Sequence, residues 1–172
     1  HIIQPTSSNT NSSNELDGDV SFPQVVGETR KTVTGSNSGT QVVSSDDRIN
    51  QIQSVLIKAN PDYKGQGKLH EENGEIIAAE FPNCGLKDLS PLRGLQLQAL
   101  DLSGNPVREL RHLRGMPLVR LYLEFTLVEN LVELVDAQLV ELRLNGSPVE
   151  SLKGLEGQPL ENLYAVGTQI ND

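Results

Sequence analysis

A period of 21 residues, kept without a slip from residue 76 to residue 172, constrains this chain more than any other feature. Copies begin at Ile76, Leu97, Leu118, Leu139 and Leu160. Their first, fourth and sixth positions read Ile76/Ala79/Phe81, Leu97/Leu100/Leu102, Leu118/Leu121/Leu123, Leu139/Leu142/Leu144 and Leu160/Leu163/Ala165. The eleventh position holds Leu86, Val107, Val128, Val149 and Ile170, and further leucines recur at the fourteenth and seventeenth. Leucine marks the boundary, with 22 from residue 76 onward against 3 before it. An apolar-x-x-apolar-x-apolar segment is a short strand that turns its apolar residues to one side. One such unit cannot bury that side alone, but stacked copies enclose a continuous aliphatic core. The expected fold is an α/β-type repeat solenoid: five units, the last incomplete, with short parallel strands on the concave face. A unit of 21 residues is too short for a full convex helix. The sequence therefore predicts 3₁₀ or extended turns around Leu89-Ser90-Pro91-Leu92 and Leu152-Lys153-Gly154-Leu155.

The ninth position carries Cys84, Asn105, Thr126, Ser147 and Thr168. The chain bends away there and leaves backbone groups without strand partners; small polar or thiol side chains can bond them. These five residues are read as a structural ladder, with Cys84 a buried member of it rather than a nucleophile, since buried structural cysteines are inert. A single cysteine also excludes an internal disulfide and any all-cysteine metal site.

Before the periodic region the chain divides in two. Residues 1–45 are rich in Ser, Thr, Asn and Gly and are read as a linker or tail that can contribute an edge strand, with Asp17-Gly18-Asp19 a solvated turn rather than a calcium loop. Residues 46–75 are read as an N-terminal helix and β-hairpin cap. Ser44 or Ser45 can cap a helix whose first turn holds Asp46 and Asp47. Ile49, Ile52, Val55, Leu56 and Ala59 form its apolar stripe, Asn60-Pro61 ends it, and Asn73-Gly74 is a hairpin turn.

The array in residues 76–172 resembles the leucine-rich repeat family, in the short class shared by phosphatase-regulator-type and internalin-type solenoids. The Arg-Gly-Met-Pro-Leu junction at residues 114–118, and the Ala-Asn-Pro-Asp-Tyr-Lys-Gly segment with its hairpin, are similar to bacterial arrays found alone or behind serine/threonine-kinase domains. No kinase motif stands in this chain, so a kinase link would belong to relatives or to another part of the protein.

The resemblance implies a partner on the concave face, lined by the third, fifth, seventh and eighth positions of each unit. The first two units offer small or acidic groups, including Glu80 and Asp101. The last three bring Arg120, Tyr122, Glu124, Phe125, Glu141, Arg143, Asn162 and Tyr164 together. Tyr and Arg are the residue types that dominate interface energetics. Phe125 stands out because the other units have Gly or Asn at its position. A plain solvated sheet face, with Arg120 pairing Glu141 or Asp101, is the competing reading.

Other function classes find less support. With 14 basic and 23 acidic residues the net charge is −9, which opposes nucleic-acid binding and attraction to anionic lipid. No apolar run is long enough for direct membrane insertion. No cofactor or metal motif is present: His1, His70 and His112 are scattered, and no nucleophile stands beside a base. The expected function is a non-catalytic module that binds a protein or peptide. A structural or sensory segment of a larger receptor or kinase-associated protein is the alternative, and a hydrolase using His70 or His112 a distant third. The absent initiator methionine and the Ser/Thr/Asn-rich start lean towards an extracytoplasmic setting. At the other end, Leu160, Leu163 and Ile170 of the last unit predict an open apolar edge, covered by a continuation of the chain or by an end-to-end homodimer.

Overall fold

A computed structural model describes residues 44–171 of the chain. The readings made for residues 1–43, the edge strand and the Asp17-Gly18-Asp19 turn among them, lie outside the described residues. Among the described residues the fold is α/β, with one α-helix and a six-stranded, mostly parallel sheet.

Helix α1 (Ser45–Ala59) starts where Ser44 Oγ accepts a hydrogen bond from the Asp47 N–H at 3.2 Å, with Asp46 and Asp47 placed favourably against the helix dipole. Ile49, Ile52 and Leu56 turn inward. Val55 was expected on that stripe but is exposed, because it lies at the margin of the arc and the core contact is narrower than the apolar pattern. Asn60 ends the helix and also joins it to the next layer. Its Oδ1 accepts from the Lys87 and Asp88 N–H groups at 2.8 Å each, and its Nδ2 donates to the Asp88 carbonyl at 2.9 Å.

Strands β1 (Lys68–Glu72) and β2 (Glu75–Glu80) pair antiparallel. Asn73 and Gly74 both adopt positive φ, 52° and 84°, which the tight turn requires and these two residues tolerate best. Strands β3 (Ala99–Asp101), β4 (Arg120–Tyr122), β5 (Glu141–Arg143) and β6 (Asn162–Tyr164) then add in sequence order, each parallel to the last. The parallel register runs Ala79↔Leu100↔Leu121↔Leu142↔Leu163, a step of 21 residues at every pairing.

One side of the sheet packs into the apolar core, where Leu100, Leu121 and Leu142 are fully buried alongside Phe81, Leu102, Leu123 and Leu144. Between strands the chain returns through 3₁₀ turns at Ser90–Leu92, Arg111–Leu113 and Val132–Leu134. Leu92, Leu113 and Leu134 point from these turns into the same core. At β6 the enclosure ends, and Leu163, in register with three fully buried leucines, is 40 % exposed. Leu160 and Ile170 are half-buried there.

The bends after the strands are held by side chains. Asn105 Oδ1 accepts from the N–H groups of Cys84 and Leu86, both at 2.9 Å, and its Nδ2 donates to the carbonyls of Phe81 and Leu102. Thr126 donates to the Leu123 carbonyl at 2.7 Å, and Ser147 donates to the same carbonyl while accepting from the Thr126 N–H. Thr168 repeats the Thr126 bond towards Ala165 at 2.9 Å, in a half-buried setting. Cys84 is buried, its Sγ directed at the Pro82 carbonyl, and burial followed by the Asp101 carboxylate pushes its thiol pKa up. A raised thiol is a poor nucleophile at neutral pH.

Candidate functional site

The sheet face opposite the core carries the residues singled out in the sequence, and the structure divides them into a buried and an exposed set. Strands stand about 4.8 Å apart, so long side chains at equivalent places in neighbouring strands lie across one another. The Arg143 guanidinium rests over the Tyr122 ring at 4.5 Å and over the Tyr164 ring at 5.1 Å. Its Nε donates to Glu141 at 2.8 Å, while Arg120 approaches the other oxygen of the same carboxylate at 3.9 Å.

Part of this face is packed, which departs from the competing reading of a plain solvated sheet face. Tyr122 is 5 % exposed and Glu141 6 %, Ala78 and Ala99 are likewise buried, and Asp101, Arg120 and Arg143 are half-buried. Asp101 is occupied locally, accepting from the Ser103 N–H at 2.8 Å. Glu80, on the plainer N-terminal side, faces His70 Nε2 at 2.5 Å.

Electrostatics follow the packing. Burial first, then the nearby Glu141 carboxylate, pushes the Tyr122 hydroxyl up to about 12, against the downward pull of Arg143. The Arg143 guanidinium is held charged by its bond to Glu141 although burial works against it. A phenol whose folded pKa is raised keeps its full contribution to stability below its unfolded value near 10 and loses it as pH rises through about 12. An alkaline titration followed at 295 nm is therefore expected to show a late tyrosine step near pH 12 that is absent from Tyr122→Phe. If the parent shows no tyrosine step later than those of Tyr122→Phe, the packing of Arg143 and Glu141 over Tyr122 is refuted.

The exposed set lies towards the strand ends. Phe125 is 71 % exposed and Val166 79 %, with Tyr164 and Asn162 also open to solvent. Phe125 has φ 54°, in the left-handed region that costs an L-residue about 1–2 kcal/mol. The equivalent places in the other units hold Asn83, Gly104, Gly146 and Gly167, all at positive φ. The sequence irregularity at Phe125 is thus a conformational one: a bulky residue occupies a bend suited to glycine. The Phe125 ring also lies over Gly146, where an added Cβ would come within 2.5 Å of it. Between the two apolar groups, Asn145 donates to Glu124 at 2.7 Å and accepts from the Val166 N–H at 2.9 Å, which fixes their spacing. Val166 was not selected from the sequence; its signal was that the same position is polar in the three preceding units, Ser103, Glu124 and Asn145.

The remaining candidates stand apart from this face. His70 is engaged by Glu80 on the hairpin, and His112 lies on a 3₁₀ turn with Arg111 Nε 3.4 Å away. Among the described residues no three His, Cys, Asp or Glu side chains are grouped to hold a metal ion, and no helix is long and apolar enough to cross a membrane. No family model, curated protein or solved structure matches the chain.

Proposed function

We propose that the chain is a non-catalytic leucine-rich repeat module that binds a protein or peptide through the C-terminal half of its sheet face, with Phe125, Tyr164 and Val166 as apolar contacts around the Arg143 stack. The 21-residue step of the parallel register supports the repeat reading, since each strand occupies the same place in successive copies of the period. Phe125 is the observation that carries the binding reading. Its backbone is strained and its ring is mostly in water, so the fold gains little from a residue that costs it stability. Strain of this kind concentrates at functional positions, and an aromatic side chain with two rotatable bonds is an efficient interface anchor. The packed Tyr122–Arg143–Tyr164 stack supports the same reading, because anchors held before binding lose less entropy when a partner arrives.

Phe125→Gly separates binding from stability. The variant is expected to be no less stable than the parent, since relief of the left-handed strain offsets the added freedom of glycine in the unfolded chain. Binding is expected to weaken by about 2 kcal/mol, roughly 30-fold. Peptides selected on the parent from a displayed library, then measured against Phe125→Gly, Val166→Ser and the distant Glu150→Ala, provide the test. Loss in the first two with Glu150→Ala unaffected supports the face. Selected peptides that bind all three variants equally refute it, as does a Phe125→Gly protein that melts well below the parent.

A further inference from the structure

On the side of the 3₁₀ turns, away from the strands, the arginines are distributed unevenly. Arg93 follows the turn Ser90–Leu92, Arg114 follows Arg111–Leu113, and these two with Arg111 and His112 line a single open cleft of about 340 Å³. No acidic side chain lines it. Arg93 and Arg114 occupy the same place in successive periods, and the next two such places hold Val135 and Glu156, so the cluster is confined to one stretch of the surface. In a chain of net charge −9 with 14 basic residues in all, a cleft lined by three arginines and by no carboxylate is a local exception.

The rim is acidic. Glu109 lies 3.1 Å from Arg111, while Glu133 and Asp136 approach Arg114 only at 3.8 and 4.0 Å. Arg93 has no carboxylate partner among the described residues. The influence of the cluster reaches its neighbours: the Asp88 carboxyl, held low chiefly by the Ser90 N–H and hydroxyl, is lowered further by His112 and Arg111.

We propose that this cleft is a binding site for a phosphate group. Guanidinium forks match phosphate oxygens in pairs, and a phosphate monoester concentrates a charge of about −1.5 to −2 on three acceptor oxygens. The size of the anion is decided by the rim. A compact anion can contact the three guanidinium groups and His112 without touching the rim, whereas an extended polyanion or acidic peptide also runs into contact with Glu109, Glu133 and Asp136, where repulsion between like charges is strongest. The site stands on a different surface from the sheet face and does not depend on what that face binds.

The test titrates the ¹⁵N-labelled full chain with inorganic phosphate, with a capped Ala-phosphoserine-Ala peptide, with its unphosphorylated counterpart and with heparin, following arginine Nε–H signals. Saturable shifts of Arg93 and Arg114 with a phosphate-bearing ligand, absent with the unphosphorylated peptide, are expected. Arg93→Ala and Arg114→Ala should each weaken binding at least tenfold, while Lys153→Ala, the same charge change on an exposed residue elsewhere, leaves it within twofold. All three variants replace exposed side chains, and equal thermal melting checks that each is folded. Tighter binding of the phosphopeptide than of inorganic phosphate assigns the site to a modified side chain on a partner protein; the reverse order assigns it to the free anion, and both uphold the cleft. Absence of saturable shifts, equal weakening by Lys153→Ala, or heparin binding more tightly than either phosphate ligand would overturn it.

Discussion

Asn105→Leu is expected to destabilise the protein by about 3 kcal/mol or more, although the substitution nearly preserves side-chain volume. The loss comes from hydrogen bonds rather than from a cavity. Asn105 is buried, and its Oδ1 is the acceptor for two N–H groups, those of Cys84 and Leu86, while its Nδ2 serves the carbonyls of Phe81 and Leu102. Each buried donor left without an acceptor costs about 1–3 kcal/mol. Thr126→Val, at the equivalent place in the next period, should cost only about 1 kcal/mol. Its hydroxyl serves the Leu123 carbonyl, which Ser147 also reaches, so no backbone group is orphaned. Urea unfolding of the two variants checks the difference. Equal losses would mean that the asparagine is not the shared acceptor described.

The second large effect separates two leucines that the sequence treats as equivalent. Leu142→Ala is expected to cost about 3–4 kcal/mol, as for a fully buried leucine whose removal leaves a cavity. Leu163→Ala, one period later and paired to Leu142 in the sheet, should cost about 1 kcal/mol, because its side chain is 40 % exposed and water fills the space it leaves. Thermal or urea denaturation at several protein concentrations reads both values. A second copy stacked end to end on β6 would bury Leu163, so a Leu163→Ala cost that grows with concentration supports such pairing, and a constant cost argues against it. Matching losses for the two variants at low concentration would refute the open edge at β6.

Much of the architecture could be read before any coordinates. Ser44 and Asn60 bound α1 because a hydroxyl acceptor and a residue followed by proline are the local signals for those ends. Asn73-Gly74 makes the hairpin turn because both residues tolerate positive φ. Other links were not legible. Asn60 reads as a helix stop, but its bonds to Lys87 and Asp88 span 28 residues or nearly so, and no local pattern encodes a partner at that distance. The basic cleft has the same origin: Arg93 and Arg114 carry no signal singly and gather only when successive turns stack.

The candidate face shows most clearly where sequence ends and tertiary structure begins. By itself the sequence determined which residues pair and on which side of the sheet each one lies. Alternation along a strand has a period of two, and the 21-residue step brings equivalent positions side by side. Exposure on that side was decided only by the folded chain. Tyr122 at 5 % and Phe125 at 71 %, three residues apart, differ because Arg143 and Glu141 lie across one of them, while a left-handed bend turns the other out over a glycine. Periodicity fixes direction along one strand, whereas burial depends on the length and lean of side chains contributed by strands that are neighbours only in space.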